Sequence, residues 1–180
     1  MGMFVYKMFQ PGLICRGYQF KVGVNECEHA TCVREGFHAA ENPLDCLFYY
    51  PDFDKSECWL CYADGDVHED GSDSKISCTK LEILRRMEKQ EFLLEAIRFI
   101  AEHPKRKISS IVHRERGTSG TNKFAFVIGK QPMARAGNDG DTLILLQENE
   151  RGQVDAFAWL TETKADAWYD MRGQEVAVCE

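Results

Sequence analysis

The sequence predicts an α+β fold: a mostly antiparallel β N-terminal domain carrying one short and one long helix, then a small all-β unit. Three observations lead there. Residues 3–8 and 75–83 read as short strands, the latter returning from a turn-rich acidic stretch. From about Met87 the apolar period lengthens from two to nearly four. Beyond residue 123 the text breaks into short apolar steps punctuated by glycine, with turn residues between them. The expected boundaries are a domain over 1–108, a polar connector over 109–123 and an all-β unit over 124–180.

A chain of 180 residues, 44% hydrophobic and 28% charged, is long enough to bury a core without staples. Its net charge of -7 argues against a direct nucleic-acid binder, which needs clustered Lys and Arg. The opening MGMFVYKMF has no basic region followed by a long apolar run, and no window approaches ~18 consecutive apolar residues. A cytoplasmic protein with no membrane segment is therefore expected. In that compartment the eight cysteines are expected as thiols or metal ligands, not disulfides.

Residues 3–8, MFVYKM, read as a strand, and Gln10-Pro11-Gly12 as a turn. Residues 15–22 alternate, with Cys15, Gly17, Gln19 and Lys21 on one side and Arg16, Tyr18, Phe20 and Val22 on the other. One strand ending at Gly23 is expected. Residues 25–35 are polar and irregular. There Cys27, His29 and Cys32, with His38 six residues on, give a C-x-H-x2-C-x5-H spacing that would suit a tetrahedral zinc ion. The paired C-x2-C knuckles of zinc modules are missing from this stretch, so unligated loop thiols are expected, with no metal and no cofactor.

The stretch 36–50, GFHAAENPLDCLFYY, is the densest in side chains capable of chemistry. Phe37 and Ala39 share one side of a short strand and His38 takes the other. Asn42-Pro43 opens a short helix, the asparagine capping free amides and proline fitting the first helical position. Leu44, Leu47 and Phe48 are expected as its core face, and Pro51 ends it. Cys58 and Cys61 stand in a C-x2-C, but three residues apart on a strand they point to opposite faces, so a buried strand is expected.

Residues 64–73 hold Asp64, Asp66, Glu69, Asp70 and Asp73 without the spacing or closing glutamate of a calcium loop, and read as a solvated hairpin tip. Residues 75–83 return as a strand. Residues 89–103 form the long helix, with Leu93, Leu94, Ile97, Ile100 and Ala101 as its stripe and Pro104 as its stop. Lys105, Arg106 and Lys107 meet the negative end of the helix dipole. Toward the end, Glu150-Arg151-Gly152 and Arg172-Gly173 mark two hairpin turns, and Trp159, Trp168 and Tyr169 are expected as core of the second unit.

Several of these segments, in order, resemble a family of proteins of unknown function encoded by bacteriophages and prophages. They are residues 6–9, the text CRGYQFKVG at 15–23, GFHAAENPLDCLFYY at 36–50, and 65–83. The resemblance implies a run of β-solenoid repeats and a small cap similar to LILLQENERGQVDAFAWLTETKADAWYDMRGQEV, the repeats here shortened to about residues 123–136. A weaker likeness to ADP-ribosyltransferases would place Lys7 or Arg16, Phe37-His38 and Tyr49-Tyr50 around nicotinamide, although no E-x-E or S-T-S motif is present.

The function expected first is a phage-encoded, non-catalytic binding or adaptor protein in the bacterial host cytoplasm. Its partner would be a host or phage protein, and an inhibitor of a host defence system is one concrete version. Asp66, Glu69, Asp70 and Asp73 would then face a basic surface. The alternative is an enzyme, transferase-like or otherwise, with its pocket at 36–50. In it Arg16 holds an anion, His38 moves a proton, Glu41 stands beside it and Tyr49 or Tyr50 stacks on a planar ring. A virion component is the third reading.

Overall fold

The computed structural model describes residues 2–31, 35–69, 71 and 73–178, which fall into two compact units, Met1–Phe99 and Ile100–Glu180. The first contains strands β1 (Met3–Phe9), β2 (Ile14–Cys15), β3 (Tyr18–Gln19), β4 (Gly23–Glu26) and β5 (Phe37–Ala40), then a 3-10 turn, Pro43–Asp45, leading into helix α1 (Cys46–Tyr49), and a second 3-10 turn, Phe53–Lys55. It continues with β6 (Glu57–Glu69) and β7 (Lys75–Met87). Helix α2 (Lys89–Glu102) spans the division between units. No helix among the described residues is long and apolar enough to cross a membrane.

The first sheet is antiparallel in the order β4-β7-β5-β1-β6, and β7 also pairs with β6. The pairings β7–β5, β5–β1, β1–β6 and β6–β7 therefore form a closed ring. Its interior holds Val5, Phe9, Phe20, Phe37, Ala39, Cys61, Ala63, Ile76, Cys78, Leu81 and Ile83. Burying each large side chain contributes roughly 1.5–3 kcal/mol relative to exposure. Because β1 alternates faces, Lys7 shares the parity of Val5 and Phe9 and is buried with them. Tyr6, on the other face, donates its hydroxyl hydrogen bond to Glu95 of α2 at 2.9 Å.

Three expectations for this unit change. Residues 15–22 are not one strand: β2 and β3 pair as a hairpin with Cys15 opposite Tyr18. Arg16 (φ 50°) and Gly17 (φ 80°) form its two-residue turn, both at the positive φ that matches the strands' twist. Phe48 is not core but 67% exposed, and Cys46 lies inward with Leu44 and Leu47. The cause is the 3-10 opening, whose three residues per turn put Leu44 and Leu47 in line and carry Phe48 past them. Asn42 does cap this turn, accepting from Leu44 N at 3.1 Å. The buried stripe of α2 is Phe92, Leu93, Ala96, Ile97 and Ile100, with Leu94 47% exposed; Phe92 packs on Phe53, ring centroids 5.0 Å apart.

Gly36 enters β5 at φ 89°, and a Cβ there would lie 2.7 Å from Ala30 Cβ and 3.1 Å from the Cys78 carbonyl oxygen. Gly36→Ala is therefore expected to destabilise this unit by about 1–3 kcal/mol, read as a lowered urea midpoint. An unchanged midpoint would show that the loop relaxes freely.

The second unit contains β8 (Val112–Thr118), β9 (Phe124–Arg135), β10 (Thr142–Glu148), β11 (Val154–Leu160), β12 (Trp168–Tyr169) and β13 (Glu175–Val176). Its sheet is mixed. β8 lies within the stretch read as a connector and pairs in parallel with β9, which pairs in parallel with β10. The hairpins β10–β11 and β12–β13 are antiparallel. Glu115 bends β8 at φ 58°, and its carboxylate accepts from the backbone N–H groups of Lys130 (3.0 Å) and Gln131 (3.3 Å). Buried Asp141 accepts from the Ser119 hydroxyl, from Asn138 N at 3.0 Å and from Asn138 Nδ2 at 3.3 Å. Tyr169 is core, with Ala125, Val127, Ala134, Leu143 and Leu145. Trp159 and Trp168 are half-buried.

Candidate functional site

Between β1, the β2–β3 hairpin, β5 and α1 lies a cavity of about 610 Å3, within the ~300–1,000 Å3 range of sites that enclose drug-sized ligands. Its deepest charged group is Lys7, only 6% exposed. The Lys7 ammonium donates to the His38 carbonyl oxygen at 2.6 Å and lies 3.7 Å from Cys15 Sγ. The rings of Phe9 and Phe20 stand beneath it, each centroid 5.3 Å away. It forms no ion pair among the described residues. Arg16 and Lys75 also line the cavity, and no Asp or Glu does, although acids outnumber bases 29 to 22 in the chain.

The walls are aromatic. Phe20 and Phe37 are buried, with centroids 5.1 Å apart. Tyr18, 48% exposed, leans on both, at 4.6 Å from Phe20 and 5.5 Å from Phe37. Tyr49 is 41% exposed and Tyr50 half-buried. The Tyr49 hydroxyl donates to Asp73 Oδ2 at 3.2 Å and accepts from Lys75 Nζ at 3.0 Å. Burial raises the Tyr49 phenol, with the Lys75 hydrogen bond opposing it. Burial also raises the Tyr50 phenol well above its ordinary value, assisted by its hydrogen bond with Cys15.

Of the residues singled out from sequence, Arg16, His38, Tyr49 and Tyr50 all line this cavity. Glu41 is half-buried outside the lining, its N–H donating to the Ser74 carbonyl oxygen at 3.0 Å. Asp66 and Glu69 are exposed on β6, which runs through Glu69, so much of the acidic run is strand and not loop. Asp73 lies outside the lining and accepts from two residues of it, the Tyr49 hydroxyl at 3.2 Å and the Lys75 N–H at 2.8 Å. Asp70 lies outside the described residues, as does Cys32 of the zinc spacing. Cys27 Sγ faces the carbonyl oxygens of His29, Cys78 and Thr79, His29 is exposed, and no metal-holding group of three is found among the described residues.

Cys15, Tyr18 and Lys75, which the sequence does not mark as site residues, also line the cavity, as does Lys7, which it offers only as an alternative to Arg16 in the ADP-ribosyltransferase likeness. The residue pattern itself signals Lys7 by parity, a lone lysine between Val5 and Phe9 on a strand apolar on both faces. Lys75 arrives because it pairs opposite Ala40.

The thiols differ by position. Burial pushes Cys46 and Cys78 up to about 12 and also raises Cys58 and Cys61 well above the ordinary thiol value, whereas Cys15 is half-buried on the cavity wall. Native protein treated with iodoacetamide is expected to label Cys15, while Cys46, Cys58, Cys61 and Cys78 react only after denaturation. Peptide mass spectrometry checks this, and labelling of Cys58 or Cys61 at the rate of Cys15 would contradict it.

A family model described as a domain of unknown function (DUF7666) matches residues 3–95, the segment that supplies every residue lining the cavity. No curated protein and no solved structure matches the chain.

Proposed function

The chain belongs to the family of the domain of unknown function DUF7666, and we propose that this domain is a binding module for a small organic anion held in the cavity on Lys7. The observation that carries the reading is a buried ammonium with no carboxylate partner, set in a lining with two more cations and no acid. Desolvating a lone ammonium costs several kcal/mol. Lysine has three N–H donors, and one carbonyl, one distant thiol and two ring faces are a weak substitute for a counter-ion. An anion entering the cavity would supply it.

This reading takes over from the pocket alternative its binding residues, Arg16, His38, Tyr49 and Tyr50, and assigns no turnover. The phage adaptor reading would instead use the exposed acids of β6 and leave the cavity without a role. The two separate by experiment. Isothermal titration calorimetry with carboxylates and phosphate esters is expected to find a saturable anion whose binding is weakened at least tenfold in Lys7→Met and kept when Asp66 and Glu69 are both changed to Lys. Binding untouched by Lys7→Met, or no binding by any anion of the set, would overturn the proposal.

A further inference from the structure

We infer that the anion is a mononucleotide, a phosphate ester joined through a sugar to a planar base; this deepens the anion-binding reading and rests on it. Three features of the cavity point to that chemistry. The first is size: about 610 Å3 is far more than a bare phosphate or acetate would fill, and suits a ligand with a ring. The second is charge. Lys7, Arg16 and Lys75 line the space, with Asp73 held beside Lys75 by its own bond to the Lys75 N–H and through the Tyr49 hydroxyl. The balance suits a phosphate monoester, which carries about -1.5 to -2 charges at pH 7, better than a single carboxylate.

The third feature is the order of groups from floor to rim. Lys7, Phe20 and Phe37 are buried, whereas Tyr18 and Tyr49 line the cavity and are also exposed. The cation is thus deep and accessible ring surface lies outside it. Tyr18 is packed edge-on against Phe20 and tilted against Phe37, contacts that restrict its ring before anything binds and reduce the ordering entropy opposing a stacked base. Phosphate on Lys7 and base against Tyr18 would satisfy the buried charge and cover exposed aromatic surface in one ligand. Gln10 and His38, also in the lining, offer polar groups for a sugar between them.

The test is calorimetry on the full chain with the four ribonucleoside 5′-monophosphates, their nucleosides, ribose 5-phosphate and benzoate. At least one mononucleotide is expected to bind tenfold or more tighter than its nucleoside, than ribose 5-phosphate and than benzoate. Tyr18→Ala should weaken that nucleotide roughly 5- to 150-fold, the range of one base–aromatic stack. It should leave ribose 5-phosphate unchanged, and Tyr18→Phe should retain the affinity. Circular dichroism verifies that each variant is folded. Ribose 5-phosphate matching the best nucleotide, or benzoate matching it, would overturn the nucleotide inference while leaving anion binding intact. Failure of every anion, or indifference to Lys7→Met, would remove both.

Discussion

Lys7→Met is expected to weaken anion binding roughly 10- to 150-fold, the equivalent of the ~1.5–3 kcal/mol of one charge-assisted hydrogen bond, without lowering the urea midpoint. Methionine is unbranched and adaptable, so it can fill the space of the lysine stem between Phe9 and Phe20. The variant loses the ammonium's contact with the His38 carbonyl and its attraction to the two rings, about 2 kcal/mol for a desolvated cation–π pair. It also escapes a desolvation penalty of several kcal/mol. These terms nearly cancel or favour methionine. A midpoint drop equivalent to more than about 1 kcal/mol, beyond the ordinary reach of an isosteric swap, would instead make Lys7 a structural residue.

Asp141→Ala is expected to destabilise the second unit by about 3–5 kcal/mol, a large share of the roughly 5–15 kcal/mol that holds a domain folded. The carboxylate is 2% exposed and collects the Ser119 hydroxyl and two nitrogen donors of Asn138. Each donor left without an acceptor in the interior costs about 1–3 kcal/mol. Asp141→Asn keeps one acceptor oxygen and should lose less. Urea unfolding followed by the emission of Trp159 and Trp168, both in that unit, reads the difference. Equal losses for alanine and asparagine would show that the charge of the carboxylate, and not an acceptor oxygen in its place, matters at that turn.

Where local chemistry decides the backbone, the sequence was legible. The Asn42-Pro43 helix start, the two C-terminal hairpins and α2 all follow from side chains acting on their own neighbours. Where a tertiary partner decides, it was not. β8 reads VHRERGT, four of whose central residues are exposed, and it is a strand because β9 offers a parallel edge. The turn at Arg16-Gly17 was obscured because arginine seldom takes positive φ. The apolar stripe of α2 lies one step from the expected one, since Phe92 has Phe53 to pack against.

The site divides in the same way. The stretch 36–50 supplied His38, Tyr49 and Tyr50 in advance, and the hairpin supplied Arg16. Lys7 entered only as an alternative to Arg16 in the ADP-ribosyltransferase likeness. Its burial depends on closure of a ring of strands whose pairings join Lys7 to Trp59, and Tyr6 to Ala40. No local pattern encodes that closure.

That pairing also sets the order in which the molecule can assemble. During synthesis β1 is made long before β6, its main partner, so MFVYKMF leaves the ribosome before the strand it pairs with exists. A short apolar segment in that condition is prone to pair with copies of itself. The charge of Lys7 within the segment opposes such pairing before the fold exists, in the manner of a gatekeeper residue. Lys7→Met is accordingly expected to aggregate more than the parent when refolded by dilution at micromolar concentration, as measured by light scattering. Equal scattering would confine the role of the lysine to the finished cavity.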